Sequence, residues 1–221
     1  MRGTMSSKKM GLMGRKLGMT QVFDESGNAV GVTLVEVLPN RVLQVKSEKG
    51  VDGYAALQLG YGSQKESRLT KAVAGHQKKS GEANVRTISE LRLDEATASK
   101  YQAGQLISLT DVFAAQERVD VVGDTKGRGH TGVMKRHNFS GFKRSHGAHE
   151  YKRHGGSIGC RLTPGMTLPG MPMTGHYGDE QVTVQNLLVL KVEGDRNLLY
   201  LKGGIPGPNG AVLKIKKPAK G

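Results

Sequence analysis

The chain has 221 residues and a formal net charge of +14, from 33 Lys and Arg against 19 Asp and Glu, a balance that calls for an acidic partner and puts nucleic acid ahead of an anionic membrane surface. No apolar run approaches the roughly 18 residues of a membrane span, and no apolar stretch of signal-peptide type follows the basic MRGTMSSKKM. A single cysteine, Cys160, excludes an internal disulfide and a thiolate metal cage, so a soluble protein of the reducing cytoplasm is expected.

Taken in order, residues 1–9 read as a basic tail. Met10 to Asp24 then predicts a short strand ending in Asp24-Glu25-Ser26-Gly27-Asn28, residue types suited to a hairpin turn. Ala29 to Leu38 is almost continuously apolar, as expected of a strand covered on both faces. Pro39-Asn40 reads as a turn, and Arg41 to Lys46 and Tyr54 to Tyr61 as two further strands. Six Lys or Arg between Gly62 and Arg86, with no apolar period, predict an exposed basic loop. Thr87 to Leu93 predicts a strand, Asp94 a cap for a short helix through Tyr101, and Leu106 to Leu109 and Val119 to Val122 brief strands around a helix at Asp111 to Gln116. Beyond Glu180, Val182 to Val192 pairs with Leu198 to Lys202, a Pro-Gly loop follows, and Val212 to Ile215 is a last strand before a basic tail at 217–221. The fold class is therefore mainly β, a barrel body over 10–124 and 180–216 with few short helices.

Residues 125–179 interrupt this body. Thr125 to Arg161 alone holds nine Lys or Arg, five of the seven histidines, eight glycines and one acid, Glu150. Its apolar residues follow neither a helical nor a strand period, so the stretch has no face with which to build a core. Thr163 to Asp179, crowded with Pro and Gly, excludes regular structure by the same reasoning. Connections longer than roughly 12–15 residues are uncommon unless functional or disordered. Basic pairs recur at Lys135-Arg136, Lys143-Arg144 and Lys152-Arg153, with glycines that allow close backbone approach and rings that can stack. RNA is the partner this pattern fits best. The candidate contacts are Lys126, Arg128, Lys135, Arg136, His137, Lys143, Arg144, His146, Lys152, Arg153, His154 and Arg161. Alone, the excursion is expected to be disordered, and to order as its cations neutralise phosphates.

Three sharper readings compete. Gly127-Arg128-Gly129-His130-Thr131-Gly132 satisfies G-x-G-x-x-G, but the segment after it lacks the apolar stripe that a helix packed on a parallel sheet requires. The histidines suggest a metal site or an RNA-modifying or RNA-cleaving enzyme, yet their flanks are cationic and would repel a metal. Cys160 with a histidine nearby is raw material for a nucleophile, without a legible third group. A non-enzyme without cofactor, metal or small-molecule substrate is expected.

Several stretches together resemble the family of the bacterial large-subunit ribosomal protein three. They are Gly14 to Thr20 (GRKLGMT), Thr70-Lys71 with Gly75-His76, Lys126 to Gly129 and Gly132 to Arg136. They continue with His146-Gly147, Gly156 to Gly159, Thr163-Pro164-Gly165, Val182 to Leu187, and Asn197 to Leu199 with Lys202-Gly203. The resemblance implies a β-barrel body, a loop reaching into the large-subunit RNA toward the peptidyl transferase centre, and direct binding of that RNA. It further implies an early part in subunit assembly, neighbouring ribosomal proteins as partners, and RNA contacts at Lys71 and His76. Against the family pattern, Cys160 stands where many relatives carry a methylated glutamine and His137 where relatives often have Trp. The run Met166 to Tyr177 (MTLPGMPMTGHY) replaces a usually Lys-rich segment, so fewer phosphate contacts are expected there.

Overall fold

The computed structural model describes residues 9–81 and 84–219. The tail expected at 1–9 lies outside these but for Lys9, as do the last two residues of the C-terminal tail. Two compact units result, one formed by the chain up to Asp124 and again from Gln181, the other by Thr125–Glu180.

Among the described residues twelve strands and four α-helices are present. In the first unit, β1 (Gly11–Phe23), β2 (Ala29–Glu36), β3 (Asn40–Lys46), β4 (Ala56–Ser63), β5 (Val85–Arg92), β6 (Leu106–Ile107) and β7 (Arg118–Asp124) precede the second unit. The second unit holds β8 (His130–Thr131) and β9 (Gly175–His176). Then β10 (Gln181–Glu193), β11 (Leu198–Lys202) and β12 (Val212–Lys216) complete the first. The helices are α1 (Lys71–Lys78), α2 (Glu95–Ala98), α3 (Leu109–Val112) and α4 (Val133–His137).

The expected β-barrel is a closed six-stranded one, in the order β1-β12-β7-β10-β11-β2, with every pairing antiparallel. Closure removes the open edges that would otherwise template aggregation. The remaining strands make a second sheet, β5-β4-β3-β6, rather than joining the barrel. One continuous apolar core serves both, from Leu12, Val35, Val121, Leu201 and Ile215 in the barrel to Leu57, Leu59 and Leu91 in the sheet. Each fully buried Leu or Ile contributes on the order of 1.5–3 kcal/mol.

Two polar side chains lock this body. Asn40 is wholly buried at the start of β3; its Oδ1 accepts from the Met13 N–H at 3.0 Å, while Nδ2 donates to the carbonyls of Met13 (3.0 Å) and Leu38 (2.9 Å). It thereby ties the second sheet to β1. Lys16 is buried too, and its ammonium donates to the carbonyls of Ile205 (3.0 Å) and Gly207 (3.1 Å), satisfying the loop before β12.

Several expectations need correction. The loop expected from Gly62 to Arg86 contains α1 and a 3-10 turn at Glu66–Arg68, because Thr70 caps the helix by accepting from the Val73 N–H and buried Gln77 docks it. The Gln77 amide binds both backbone groups of Val85, at 3.1 and 3.2 Å. The helix expected at Asp111 to Gln116 is α3, which starts two residues earlier, where Ser108 and Asp111 form a capping box, and ends at Val112, with Phe113 already extended. The N-terminal part of β10 is largely exposed, and its first fully buried residue is Val189. In the stretch read as a C-terminal tail, Lys217 pairs with Glu117 at 3.1 Å and the Ala219 N–H donates to Asp120.

Candidate nucleic-acid interface

The second unit is not uniformly irregular. Its two limbs meet at the base, where the Thr125 N–H donates to the Glu180 carbonyl at 2.9 Å and Arg128 and Gly129 exchange backbone bonds with Tyr177. The two-residue ladder β8-β9 follows, with His130 opposite His176. This corrects the expectation that Thr163 to Asp179 excludes regular structure. A short helix, α4, does follow Gly132, because Val133 is buried and the Gly132 carbonyl accepts from the Lys135 and Arg136 N–H groups. At five residues and beside no parallel sheet, it does not meet the needs of a dinucleotide fold.

Arg136 and His137 close the stem. The guanidinium donates to the Met173 carbonyl at 2.7 Å, and the imidazole Nε2 lies 3.1 Å from the same oxygen. Gly178 permits the crossing below: its φ is +76°, and a Cβ there would stand 2.1 Å from the Lys126 carbonyl oxygen. Gly178→Ala is expected to loosen the stem and speed tryptic cleavage after Lys126 and Arg128 about tenfold, given 1–3 kcal/mol of strain and a protease that reads the opened population. Digestion of both proteins side by side checks this.

Lys126, Arg128 and Lys135 come together around a cleft of about 280 Å³ that Tyr177 and Glu180 also line. Beyond the stem, Lys143, Arg144, His146, Lys152, Arg153, His154 and Arg161 are all exposed, spread along residues 138–172, where few backbone hydrogen bonds form. Rings stand among them. Phe142 and Tyr151 are more than half exposed, and the Tyr151 and His154 rings meet edge to face at 4.9 Å. None of the nine Lys and Arg of Thr125 to Arg161 forms an ion pair among the described residues. Like charges packed at this density repel, so the arrangement lacks its counter-charge.

Lys71 and His76 lie in the other unit, on α1. Lys71 is exposed, whereas His76 is half-buried against Gln58 Oε1 in a polar network on the second sheet. There Lys46 pairs with Glu90 at 2.8 Å and Asp52 at 3.1 Å, and the Tyr54 hydroxyl donates to Glu90 at 2.8 Å. Burial works to raise the Glu90 carboxyl, but the hydrogen bonds from Lys46 and Tyr54 outweigh it and hold it low. Lys46 is pushed up, first by its bond to Glu90 and then by Tyr54. A depressed carboxyl contributes stability that is complete above its ordinary value of 4.5 and drains away as pH falls through the folded value. A raised lysine contributes stability that is complete below 10.5 and is lost only as pH climbs through its folded value. The body should therefore lose melting temperature as pH drops below 4.5, and Glu90→Gln should flatten that acid limb; melts at pH 7 and 3.5 compare the two.

The sequence pattern of the family described as "Ribosomal protein L3" matches residues 64–197. "Large ribosomal subunit protein uL3" of Sorangium cellulosum (strain So ce56) is 44% identical over 214 residues, covering 95% of this chain and 90% of that protein. Its namesake from Synechococcus sp. (strain CC9311) is 45% identical over 219 residues, covering 96% and 98%. The chain belongs to the ribosomal protein L3 family. This is a structural, non-enzymatic family, which removes the footing of the histidine-enzyme reading. For this L3-family chain, moreover, no group of three or more His, Cys, Asp or Glu among the described residues is placed to hold a metal, and Cys160 is simply exposed.

Sequence reasoning missed Tyr177, Met173 and Glu180, which build the stem. Nothing in residue type marks Met173, whose part is its backbone carbonyl. The return limb carries no Lys or Arg, and Leu162, Met166 and Leu168 on it are well exposed.

Proposed function

We propose that this chain is a structural component of the large ribosomal subunit, and so resides in the ribosome of the cytoplasm. Through residues 125–161 it binds large-subunit RNA directly, helps to nucleate subunit assembly, and extends toward the peptidyl transferase centre. Neighbouring large-subunit proteins are its other partners. The observation that carries the reading is the set of nine cations without an ion-paired carboxylate, interleaved with exposed rings. Phosphates supply the missing charge and bases the stacking surface. Lys126, Arg128 and Lys135 bind phosphate at the stem cleft; Lys143, Arg144, His146, Lys152, Arg153, His154 and Arg161 bind along the distal segment, and Lys71 adds a contact from α1. Arg136, His137 and His76 are assigned first to holding Met173 and Gln58, which orients the segments that carry the contacts. Co-sedimentation tests the reading: the chain should pellet with large subunits through a moderate salt wash. Recovery in the supernatant, with the subunits intact, would refute it.

A further inference from the structure

The charge of this protein is not evenly shared. Residues 125–180 carry nine Lys and Arg against three acids, whereas the rest of the chain carries 24 against 16. Within that more balanced body one apolar surface has two acids on its rim, Asp24 and Glu25, with the Lys202 charge acting on Asp24. It is the outer end of the β1-β2 hairpin, where Met19 (59% exposed) and Phe23 (65%) share one face of β1 and Val22, 38% exposed, lies on the other. Val22 pairs with Val30 and Phe23 with Ala29, so no large neighbour across the ladder shields the ring.

A cleft of about 520 Å³ lies here, lined by Val22, Phe23, Val30, Leu190, Asp24 and Glu25 among others. Leu190 sits where the β10-β11 register shifts between Val189 and Lys191, a bulge of the kind that re-aims a side chain. Lys191 is the cation of this lining, and Glu193 takes it at 2.5 Å. The tip is closed by its own hydrogen bonds: the Asp24 carboxylate accepts from the N–H groups of Ser26 (3.0 Å) and Asn28 (2.8 Å), and the Asp24 N–H donates to the Asn28 carbonyl at 3.0 Å. An exposed aromatic and aliphatic cluster on a preformed scaffold is the composition of a protein interface.

We propose that this hairpin end docks a basic segment of a neighbouring ribosomal protein, which seats an apolar side chain in the cleft and sets a Lys or Arg against Asp24 and Glu25. The inference rests on the ribosomal reading above. Charge selects the occupant. RNA would bring phosphates against two carboxylates, and a second copy of the chain would bring the same acidic rim against itself, whereas a Lys- and Arg-rich protein complements it.

The test replaces Phe23 in the full chain with the photocrosslinker p-benzoylphenylalanine, assembles it into large subunits in cells, and irradiates the purified particles. The expected product joins position 23 to one other large-subunit protein, at an apolar residue with Lys or Arg close by. Adding Glu25→Lys should lower its yield about tenfold with incorporation unchanged, since like charges across an interface oppose binding. Crosslinks to RNA, to a second copy or within the same chain, or none from assembled particles, would overturn the docking site and leave the ribosomal reading intact. Absence of the chain from the particles would overturn that reading and the inference together.

Discussion

Binding of the purified chain to large-subunit RNA should weaken on the order of 10³-fold between 50 and 200 mM salt. Each phosphate neutralised releases condensed counterions, which gives a slope of about −0.9 in log affinity against log salt per contact on duplexes. Of the nine cations in Thr125 to Arg161, Arg136 already serves the Met173 carbonyl, and about six of the others on phosphate suffice for that figure. Replacing Lys143, Arg144, Lys152 and Arg153 together by Ala should make the slope shallower by about 3–4 and weaken binding most at low salt. All four are exposed and distal to the stem, so the melting temperature of the body should not move. Filter binding across a salt series measures both quantities. A slope that the fourfold variant leaves unchanged would mean that the RNA is held elsewhere.

The second large effect concerns the body. Asn40→Ala strips the partner from three backbone groups at once: the Met13 N–H and the carbonyls of Met13 and Leu38. A buried polar group left unsatisfied costs about 1–3 kcal/mol, so a loss of about 3 kcal/mol or more is expected. For a body of this size each kcal/mol lowers the melting temperature by roughly 2–4 °C, giving a drop of about 6–12 °C. Asn40→Asp should cost at least as much, because it keeps the acceptor for the Met13 N–H but sets a wholly buried carboxylate against the carbonyls of Met13 and Leu38. Thermal melts followed by circular dichroism decide this, and an Asn40→Ala variant melting within 2 °C of the parent would show that Asn40 does not join sheet to barrel.

Asn40 also shows where reading the sequence stops. By residue type, Pro39-Asn40 is a turn, and nothing local reveals that the amide reaches β1. The barrel was legible because short strands and turn residues follow one another closely, and because Val32, Thr33 and Val35 sit in a run too apolar to face water. Which strands close the barrel and which form the second sheet was not legible, since a period of two carries no pairing information. Helix α1 escaped because its buried anchor is Gln77, a polar residue that no apolar periodicity registers. The interface fared differently. Its chemistry is compositional and therefore visible, whereas its stem depends on backbone carbonyls at Met173 and Tyr177 that every residue possesses.

That division between stem and tip bears on how the arm works. Residues 125–137 and 173–180 are joined by their own hydrogen bonds, while 138–172 present cations and rings with few bonds among themselves. On the proposed reading, ordering on RNA would be concentrated in the distal segment and its cost met by phosphate and base contacts. Hydrogen exchange read over residues 138–172, in the free chain and in large subunits, tests this most directly. The account predicts exchange close to the unprotected rate in the free chain and strong protection in the subunit. Protection already complete in the free chain, or absent in the assembled subunit, would contradict it.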